Sequence, residues 1–430
     1  MQAGDTIMAL SSGALPAGVA VLRLSGPLVR TCLETLAGGV PPPRRMVLRP
    51  IGSTRRLDQG LVVFFPGPQS FTGEDCAELH VHGSAAGVKA ILGALRELGL
   101  RLAEAGEFTR RAFENGKLDL LSVEGLGDLL AADTEKQRQQ ALARYDGRLS
   151  ERIGVWRETL LDLRAEIEAR LDFSDEGDVS EDLPAAWLLQ LAELEVALAE
   201  ALASVESGRI VREGIRVALA GPPNAGKSSL INALSRSDIA IVSDEAGTTR
   251  DVREVPLDIG GQLFILLDLA GLRDTESRAE AEGVRRAQAA IDSADIVLWL
   301  GAPDVAGSAP PAHRGRLVRI ATKADLGPGQ AADLALSSRS GEGLPALIAL
   351  LGEIGAGLAG GEPALVSHER DRAGLVAALE ALAEARAALG NWELAAESLR
   401  RASAALERLI GRMDAEQVLD RLFASFCIGK

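Results

Sequence analysis

The chain has 430 residues, with 46 Lys and Arg against 61 Asp and Glu, which gives a net charge of −15 at pH 7. This length suggests roughly three domains of ordinary size. The acidic balance disfavours a protein that holds nucleic acid by bulk positive charge, and three cysteines are too few for a disulfide framework. No apolar run reaches the ~18 residues that span a bilayer, and the first residues lack a basic leader. We expect a cytoplasmic multidomain protein that makes no membrane contact.

The acidity is concentrated in one part of the chain. Residues 1–118 carry a net charge of +3, residues 119–212 carry −11, residues 213–362 carry −6 and residues 363–430 carry −1. Within the second segment, Asp172–Asp182 holds six acidic residues and no basic one. We interpret this stretch as a solvated loop.

The spacing of apolar residues predicts an α/β domain at the start of the chain. Short apolar runs at Gly18–Leu24 and Gly60–Phe65 predict strands, and the amphipathic stretch near Ser84–Leu98 predicts a helix. Beyond residue 118 the pattern changes.

Helical and alternating patterns follow one another in the rest of the chain. Apolar residues at three- and four-residue spacing predict long helices in residues 122–172, 184–207 and 370–424. Residues 215–353 alternate strand-like and helix-like segments, which is the pattern of a parallel α/β sheet. We therefore predict an α/β unit inserted into one helical domain. The predicted segments are the N-terminal α/β domain, the first helical part, the inserted domain and the second helical part, at 1–118, 119–212, 213–362 and 363–430.

The inserted domain begins with a predicted phosphate-binding loop. Gly221–Ser228 reads GPPNAGKS, follows the apolar strand Ile215–Ala220 and precedes the helix-like Ser229–Leu234, as the pattern GxxxxGK[ST] requires. The backbone N–H groups of such a loop and of the following helix hold phosphate oxygens. Lys227 would place a positive charge at the β- and γ-phosphates, and the Ser228 hydroxyl would bind Mg²⁺.

Further elements follow in the order of a GTP site. Thr249 lies where a switch threonine meets Mg²⁺ and the γ-phosphate, and Asp268 closes an apolar strand at the Walker-B position. Asp325 offers a carboxylate that can accept the ring N–H and the exocyclic amine of guanine, an arrangement that adenine lacks. The residues that we expect to contact GTP are Asn224, Ala225, Gly226, Lys227, Ser228, Ser229, Ser243, Asp244, Glu245, Ala246, Gly247, Thr248, Thr249, Asp268, Leu269, Ala270, Gly271, Thr322, Lys323, Asp325, Ser337, Ser338 and Arg339.

Two positions depart from the usual GTPase pattern. Thr322 replaces the asparagine of N-K-x-D, so one hydroxyl is kept and the amide is lost. We predict weaker GTP affinity with unchanged selectivity. Leu272 follows Gly271, where Ras-like GTPases carry the glutamine that orients the attacking water, so another group must supply that role.

With these elements in place, the whole chain resembles the tRNA modification GTPase family called MnmE or TrmE. The motifs that carry the resemblance lie outside the phosphate loop as well as in it. They are Asp5–Ile7, Leu22–Gly26, Ser70–Asp75, Glu78–Leu79, His82–Gly83, Gly106–Arg110, Asn115–Leu120 and the terminal Phe426–Lys430.

The resemblance implies a three-part architecture and a set of partners. The implied architecture has an N-terminal α/β domain, a helical domain and an inserted GTPase domain. The N-terminal domain is expected to dimerise and to bind a reduced folate of the 5-formyl-tetrahydrofolate kind. With an FAD-containing subunit of the MnmG/GidA type, as a heterotetramer, family members modify C5 of the wobble uridine of certain tRNAs. An aminomethyl or carboxymethylaminomethyl group is added, with folate as the one-carbon source.

The resemblance also implies roles for individual residues. Asn224, Ser243, Glu245 and Thr248 match K⁺ ligands, and Ser228 and Thr249 match Mg²⁺ ligands. Glu280 matches a glutamate that positions the attacking water, and with Lys227 it completes the expected catalytic set. Arg23, Glu78, Lys117 and Lys430 match positions linked to folate, although the glycine-rich stretch near Gly13–Gly18 differs from the family pattern.

Simpler interpretations remain open at several positions. Asn224 can be a turn residue, Glu280 a solvated carboxylate at a helix start, and Cys427 a packed thiol rather than a nucleophile. For the whole chain, the alternatives to a tRNA-modifying enzyme are an assembly GTPase that acts on ribosomes or RNA and a plain regulatory switch.

Overall fold

The computed structural model describes residues 4–172, 183–241, 253–268, 285, 288–306, 309–310, 312–327, 331–361, 364–411, 422–423, 426 and 429. Twelve strands lie in this part of the chain, and they are β1 Ile7–Leu10, β2 Ala17–Ser25, β3 Val47–Ile51, β4 Asp58–Phe65, β5 Cys76–Gly83, β6 Arg101–Leu102, β7 Ile215–Ala220, β8 Arg253–Ile259, β9 Gln262–Asp268, β10 Ile296–Gly301, β11 Arg316–Ala321 and β12 Leu334–Ala335.

Helices alternate with these strands and dominate the middle and end of the described chain. They are α1 Val29–Ala37, α2 Ala85–Glu97, α3 Glu107–Glu114, α4 Leu120–Leu130, α5 Glu135–Tyr145, α6 Arg148–Asp172, α7 Ala185–Ala203, α8 Val205–Glu213, α9 Lys227–Leu234, α10 Leu344–Ala359, α11 Glu369–Ala387 and α12 Trp392–Leu409. In the described residues, no helix is long and apolar enough to cross a bilayer.

The chain divides into two compact units that are both discontinuous in sequence. The first comprises residues 1–127, 145–157 and 403–430, and the second comprises residues 128–144 and 158–402. The mixture of α/β and helical segments agrees with the predicted fold class, and the four predicted segment boundaries stay predictions.

A mixed sheet forms the centre of the first unit. Its order is β3-β4-β5-β2-β1-β6, with antiparallel pairs throughout except for β1 beside β6. Alternate residues of the strands, such as Leu22 and Leu79, pack with α1 and α2 into one apolar core. The opposite face is covered at β1 by Phe108 of α3. The predicted helix near Ser84–Leu98 is confirmed as α2, whose N-cap Ser84 accepts a hydrogen bond from the Gly87 N–H.

The second unit contains the predicted α/β sheet. Its order is β12-β11-β10-β7-β9-β8, and all neighbours are parallel except β8 and β9. Helices α8, α9 and α10 contribute to its core. Because the carboxyl ends of parallel strands meet at one edge, the loops after β7, β10 and β11 lie along the same edge, and Asp268 at the end of β9 lies there too.

The predicted helical stretch 122–172 is interrupted. It consists of α4, α5 and α6, with breaks before Glu135 and before Arg148. At the first break the Gln137 side-chain oxygen accepts the Asp133 and Thr134 N–H groups, which caps α5. At the second, Gly147 adopts a left-handed φ of 85°, which ends the helical path.

Candidate functional site: a nucleotide site at the sheet edge and an arginine–glutamate pair

The phosphate-binding loop connects β7 to α9. Gly221 has a φ of 144°, and a Cβ at this position would lie 2.4 Å from the Leu300 carbonyl oxygen of β10. Only glycine therefore lets the loop pass so close to the neighbouring strand. Gly226, with a φ of 91°, is the N-cap of α9, and the helix begins at Lys227. The structure thus has the strand–loop–helix context that the sequence predicted.

Lys227 lies over the loop. Its Nζ donates hydrogen bonds to the carbonyl oxygens of Gly221 at 2.8 Å and Pro222 at 2.9 Å. Ser228 and Ser229 are exposed in the first turn of α9. A positive side chain, free hydroxyls and the positive end of a helix make this loop a site for phosphate groups.

Asn224 occupies an unusual backbone conformation within the loop. Its φ is 59°, the left-handed region that asparagine tolerates better than most residues, and its side chain is exposed. The turn geometry alone therefore accounts for an asparagine here, and its exposed amide oxygen is a suitable ligand for a cation.

Asp268 ends β9 next to the phosphate loop. It lies opposite Leu219 in the parallel register of β7 and β9, one residue before the end of β7, and it is 8% exposed. This is the position from which a carboxylate reaches a nucleotide-bound Mg²⁺.

Thr322 joins the base-binding loop to the phosphate loop. It follows β11 and is 2% exposed, and its Oγ1 lies 2.7 Å from the Ala225 carbonyl oxygen and 3.1 Å from that of Gly301. The hydroxyl has one proton, so it donates to one of these acceptors at a time. The Thr322 hydroxyl proton is therefore used in a hydrogen bond to the protein backbone.

Asp325 is held in place by Ser337. The Ser337 Oγ donates a hydrogen bond of 2.7 Å to Asp325 Oδ1, and Ser337 is fully buried while Asp325 is exposed. The other carboxylate oxygen of this exposed residue can accept hydrogen bonds from a ligand. Ser337 also accepts the backbone N–H of Arg339, which follows the half-buried Ser338.

Lys323 has a different partner. Its φ is 54°, and its Nζ forms an ion pair of 2.7 Å with Asp304 in the loop after β10. This pair joins two loops of the same sheet edge.

Several predicted residues lie outside the described part of the chain. They are Ser243, Asp244, Glu245, Ala246, Gly247, Thr248, Thr249, Leu269, Ala270, Gly271, Leu272, Glu280, Cys427 and Lys430.

Arg23 and Glu78 form the centre of the second predicted site. They face each other across β2 and β5, and Arg23 Nη2 lies 2.9 Å from Glu78 Oε1. His80 Nε2 lies 3.0 Å from the other carboxylate oxygen. Burial raises the pKa of Glu78, but the hydrogen bond from His80 and the charge of Arg23 outweigh it and hold the pKa below its usual value. Glu78 is therefore an ionised acceptor at neutral pH.

The surroundings of Arg23 include the end of the chain. Arg23 Nη1 donates to the Gly429 carbonyl oxygen at 3.3 Å, and Ser11 Oγ donates to the same atom at 3.1 Å. The rings of Phe71 and Phe108 lie 6.0 and 5.9 Å from the guanidinium. Arginine, carboxylate and aromatic side chains thus meet at one place on the sheet.

Lys117 is exposed just after α3. The ideal Cβ position of Gly73 lies 3.4 Å from its Cγ, so its stem runs beside the loop before β5. Glu107, in contrast, has a structural role: it is 2% exposed and pairs with Arg101 at 2.5 Å and Arg111 at 3.0 Å.

Sequence reasoning missed the contact of His80 with Glu78. The signal was present, because residues two apart on a strand share a face and His80 follows Glu78 by two. The contact of Gly429 with Arg23, 406 positions away, has no local signal.

Known proteins match the chain over its whole length. Residues 6–117 match the family described as GTP-binding protein TrmE N-terminus, and residues 120–427 match the MnmE helical domain. The chain is 50% identical to the tRNA modification GTPase MnmE of Azorhizobium caulinodans, covering 100% of both chains. It is 49% identical to the protein of the same name from Methylobacterium sp. strain 4-46, covering 99% of this chain and 100% of that one.

Among solved structures, the chain is similar to the G domain of the T. maritima FeoB iron transporter. The identity is 24%, the match covers 32% of this chain and 97% of that chain, and the TM-score is 0.23. This similarity carries no conclusion about function.

Proposed function

We propose a function that proceeds from one finding: the chain belongs to the MnmE family of tRNA modification GTPases. It is a GTPase, and it hydrolyses GTP to GDP and phosphate as one component of an enzyme that modifies C5 of the wobble uridine of certain tRNAs. Its partners are a second copy of the chain and an FAD-containing subunit of the MnmG/GidA type, in a heterotetramer. The observation that supports this most is the full-length similarity, combined with a phosphate loop and a base-binding loop that meet at Thr322.

Mg²⁺ fits the described end of the nucleotide site. The exposed Ser228 hydroxyl and the Asp268 carboxylate offer the oxygen ligands that Mg²⁺ prefers, and Thr249 is the third residue proposed to bind it. The ion would neutralise phosphate charge. Lys227 adds its positive charge to the phosphates in exchange for its bonds to the loop carbonyls.

In this proposal, K⁺ and Glu280 replace the catalytic groups of other GTPases, because Leu272 cannot orient the attacking water. We place the cation on Asn224, Ser243, Glu245 and Thr248, where its charge takes the part of an arginine finger. The exposed amide oxygen of Asn224 is the ligand that can be examined in the structure, and it fits. Glu280 accepts a hydrogen bond from the water that attacks the γ-phosphate.

Replacement of K⁺ by Na⁺ should sharply lower the rate of GTP hydrolysis, because the smaller ion does not fit a site shaped for K⁺. The measurement is phosphate release by the full chain in KCl and in NaCl at equal ionic strength. The Asn224→Asp variant is the matched control, since it keeps an oxygen ligand at this position and should retain stimulation by KCl. Equal turnover in the two salts would contradict the K⁺ proposal.

The Arg23–Glu78 pair is the proposed folate site, with Lys117 and Lys430. The ionised Glu78 can accept N–H groups of a pterin ring, and basic side chains can bind the glutamate tail. The residues present therefore fit a reduced folate, which supplies the one-carbon unit when bound. His80 keeps Glu78 oriented by its hydrogen bond.

Glu78→Gln should weaken the binding of 5-formyl-tetrahydrofolate by roughly tenfold or more, because one charged hydrogen-bond acceptor contributes about 1.5–3 kcal/mol. Isothermal titration of the full chain measures this. His82→Gln, on the same strand but bonded to Asp58, is the control and should bind as the unchanged chain does. Undiminished binding by Glu78→Gln would remove the folate assignment at this pair.

A further inference from the structure

Five arginines lie close together in sequence around β3, the edge strand of the first sheet. We call them the arginine edge, and they are Arg44, Arg45, Arg49, Arg55 and Arg56. No acidic residue occurs between Glu34 and Asp58. This is a local basic surface on a chain whose net charge is −15.

The arginine edge lacks the carboxylate partners that other arginines have. Arg23, Arg30 and Arg101 of the same unit each form an ion pair at 2.5–2.9 Å. In the part of the chain that the structure describes, no carboxylate pairs with any member of the arginine edge. Acidic side chains outnumber basic ones in this protein, so unpaired arginines in one segment point to a negative partner outside the chain.

The carboxylate nearest in sequence to the arginine edge already has another partner. Asp58, the first residue of β4, accepts the His82 backbone N–H at 2.9 Å and lies 2.7 Å from its ring nitrogen. Arg44 packs on the Phe65 ring and donates to the Gln69 carbonyl, and Arg56 donates to the neutral Gln59 side chain. These contacts orient two guanidiniums without neutralising them.

The geometry of β3 spreads the arginines along a line. Arg44 precedes the strand, Arg49 lies within it, and Arg55 and Arg56 lie in the turn that follows. Four of the five are exposed, and Arg49 is half-buried. With a rise of about 3.3 Å per residue, the five residues of β3 separate the arginines before the strand from those after it by roughly 13 Å or more. Such a line matches a chain of regularly spaced negative charges better than a single small anion.

We propose that the arginine edge binds the phosphate backbone of RNA, which under the proposed function is tRNA. Arginine forms bidentate hydrogen bonds with phosphate, and all five residues are arginine. An anionic membrane is a poorer match, because the arginines lie on a strand and its turns rather than on an amphipathic helix. The inference rests on the proposed function for the identity of the RNA.

Charged residues on an edge strand also prevent strands of other copies from pairing there. The two roles differ in the sign of charge that they require. Glutamate protects an edge as well as arginine does, but it repels phosphate. Charge reversal therefore separates RNA binding from edge protection.

The test compares three double variants of the full chain. Arg55→Glu with Arg56→Glu reverses charge on the arginine edge, and Arg55→Lys with Arg56→Lys preserves it. Lys89→Glu with Arg96→Glu makes the same change in net charge on α2, outside the arginine edge. The probes are an unmodified tRNA transcript with a wobble uridine and poly(U), each titrated from 50 to 200 mM KCl.

We expect the edge reversal to weaken binding to both RNAs by roughly tenfold or more and to lower the salt slope by about 1 per arginine. The lysine and α2 variants should bind within about threefold of the unchanged chain, and all variants should hydrolyse GTP at the same rate. If the Glu pair lowers the unfolding temperature, the single Arg45→Glu substitution serves instead, with the loss of about 1 in slope as its signature.

Equal RNA binding by the edge reversal would overturn the inference, as would a change only in oligomeric state, which would mark the edge as an interface between copies. None of these results bears on the proposed function, which falls only if wobble uridines are unaffected by the protein. Conversely, the arginine edge can bind poly(U) even if the protein has no part in tRNA modification.

Discussion

At the scale of single residues, Thr322 explains how the chain tolerates the loss of the usual asparagine. Its buried hydroxyl bonds the Ala225 carbonyl, so the connection between base loop and phosphate loop is preserved. What a threonine lacks is an amide that can reach the base at the same time. We therefore propose that guanine recognition depends on Asp325, which Ser337 holds in position.

Thr322→Asn should tighten GTP and GDP binding by roughly three- to tenfold, because one neutral hydrogen bond contributes about 0.5–1.5 kcal/mol. Thr322→Val should weaken binding, because it leaves the Ala225 carbonyl without this donor. Fluorescent-nucleotide titration measures both.

Selectivity should not change in either Thr322 variant, and ATP should compete as poorly as it does with the unchanged chain. Asp325→Asn is the control that should lose the preference for guanine. If Thr322→Asn left the affinity unchanged, the prediction that the missing amide weakens GTP binding would be wrong.

The candidate site was predictable where residues are close in sequence. The loop at Gly221, the strand ending at Asp268 and the position of Asp325 follow from local patterns, and the structure has them. The bond between Thr322 and Ala225 joins residues 97 positions apart, so only the packed sheet brings them together. For the same reason, Arg23 and Glu78 could be chosen only by resemblance, and not by spacing.

At the scale of elements, α5 connects the chain segments on both sides of the second sheet. The Gln140 side-chain amide donates to the carbonyl oxygens of Gly208 at 3.1 Å and Ala364 at 2.6 Å. The Gln137 amide donates to the Arg212 carbonyl at 2.8 Å. One face of α5 therefore holds both the backbone of α8, which precedes β7, and the backbone at Ala364, which follows α10.

Arg144, at the end of the same face, forms a fully buried ion pair with Asp371. Arg144 Nη1 lies 2.8 Å from Asp371 Oδ2, and the two side chains are 0% and 2% exposed. Burial raises the pKa of Asp371, but the charges of Arg144, His368 and Arg370 outweigh it and hold the pKa below its usual value.

Arg144→Met should lower the free energy of unfolding by about 3–5 kcal/mol at neutral pH, since it leaves the Asp371 charge buried without its main partner. Urea unfolding followed by circular dichroism measures this. The double variant Arg144→Met with Asp371→Leu should recover much of the loss, because neither charge remains. Loss of under about 1 kcal/mol in the single variant would show that the pair is not needed.

The pH dependence gives a second readout of the same pair. A carboxyl whose pKa is lower in the folded state stabilises the fold above its unfolded pKa. That contribution is lost as the pH falls through the lowered pKa of Asp371. Between pH 7 and lower pH, the free energy of unfolding should therefore change less for Asp371→Asn than for the unchanged chain.

Elements with a regular apolar pattern could be predicted from the sequence. Very short strands, and strands that pair with distant parts of the chain, could not. The apolar runs at β2, β4 and β7 and the amphipathic α2 carry their own signals. The two-residue strand β6, which pairs with β1 through Ile7 and Arg101, has none. The breaks that divide residues 122–172 into three helices depend on capping by Gln137 and on one glycine.

At the scale of the whole molecule, charge is distributed unevenly along the chain. Residues 119–212 carry −11, and the first 118 residues carry +3. The five residues of the arginine edge lie in this basic segment. Under the proposed function, the net charge of −15 therefore does not exclude tRNA binding.

The central claim is that GTP hydrolysis by this chain serves the modification of the wobble uridine, and nucleoside analysis of tRNA tests it most directly. Total tRNA is digested from a strain that lacks the protein and from the same strain supplied with the unchanged chain or with Lys227→Ala. The account predicts that wobble uridines substituted at C5 are lost in the deletion strain, restored by the unchanged chain and not by Lys227→Ala. Normal wobble nucleosides in the deletion strain would contradict it.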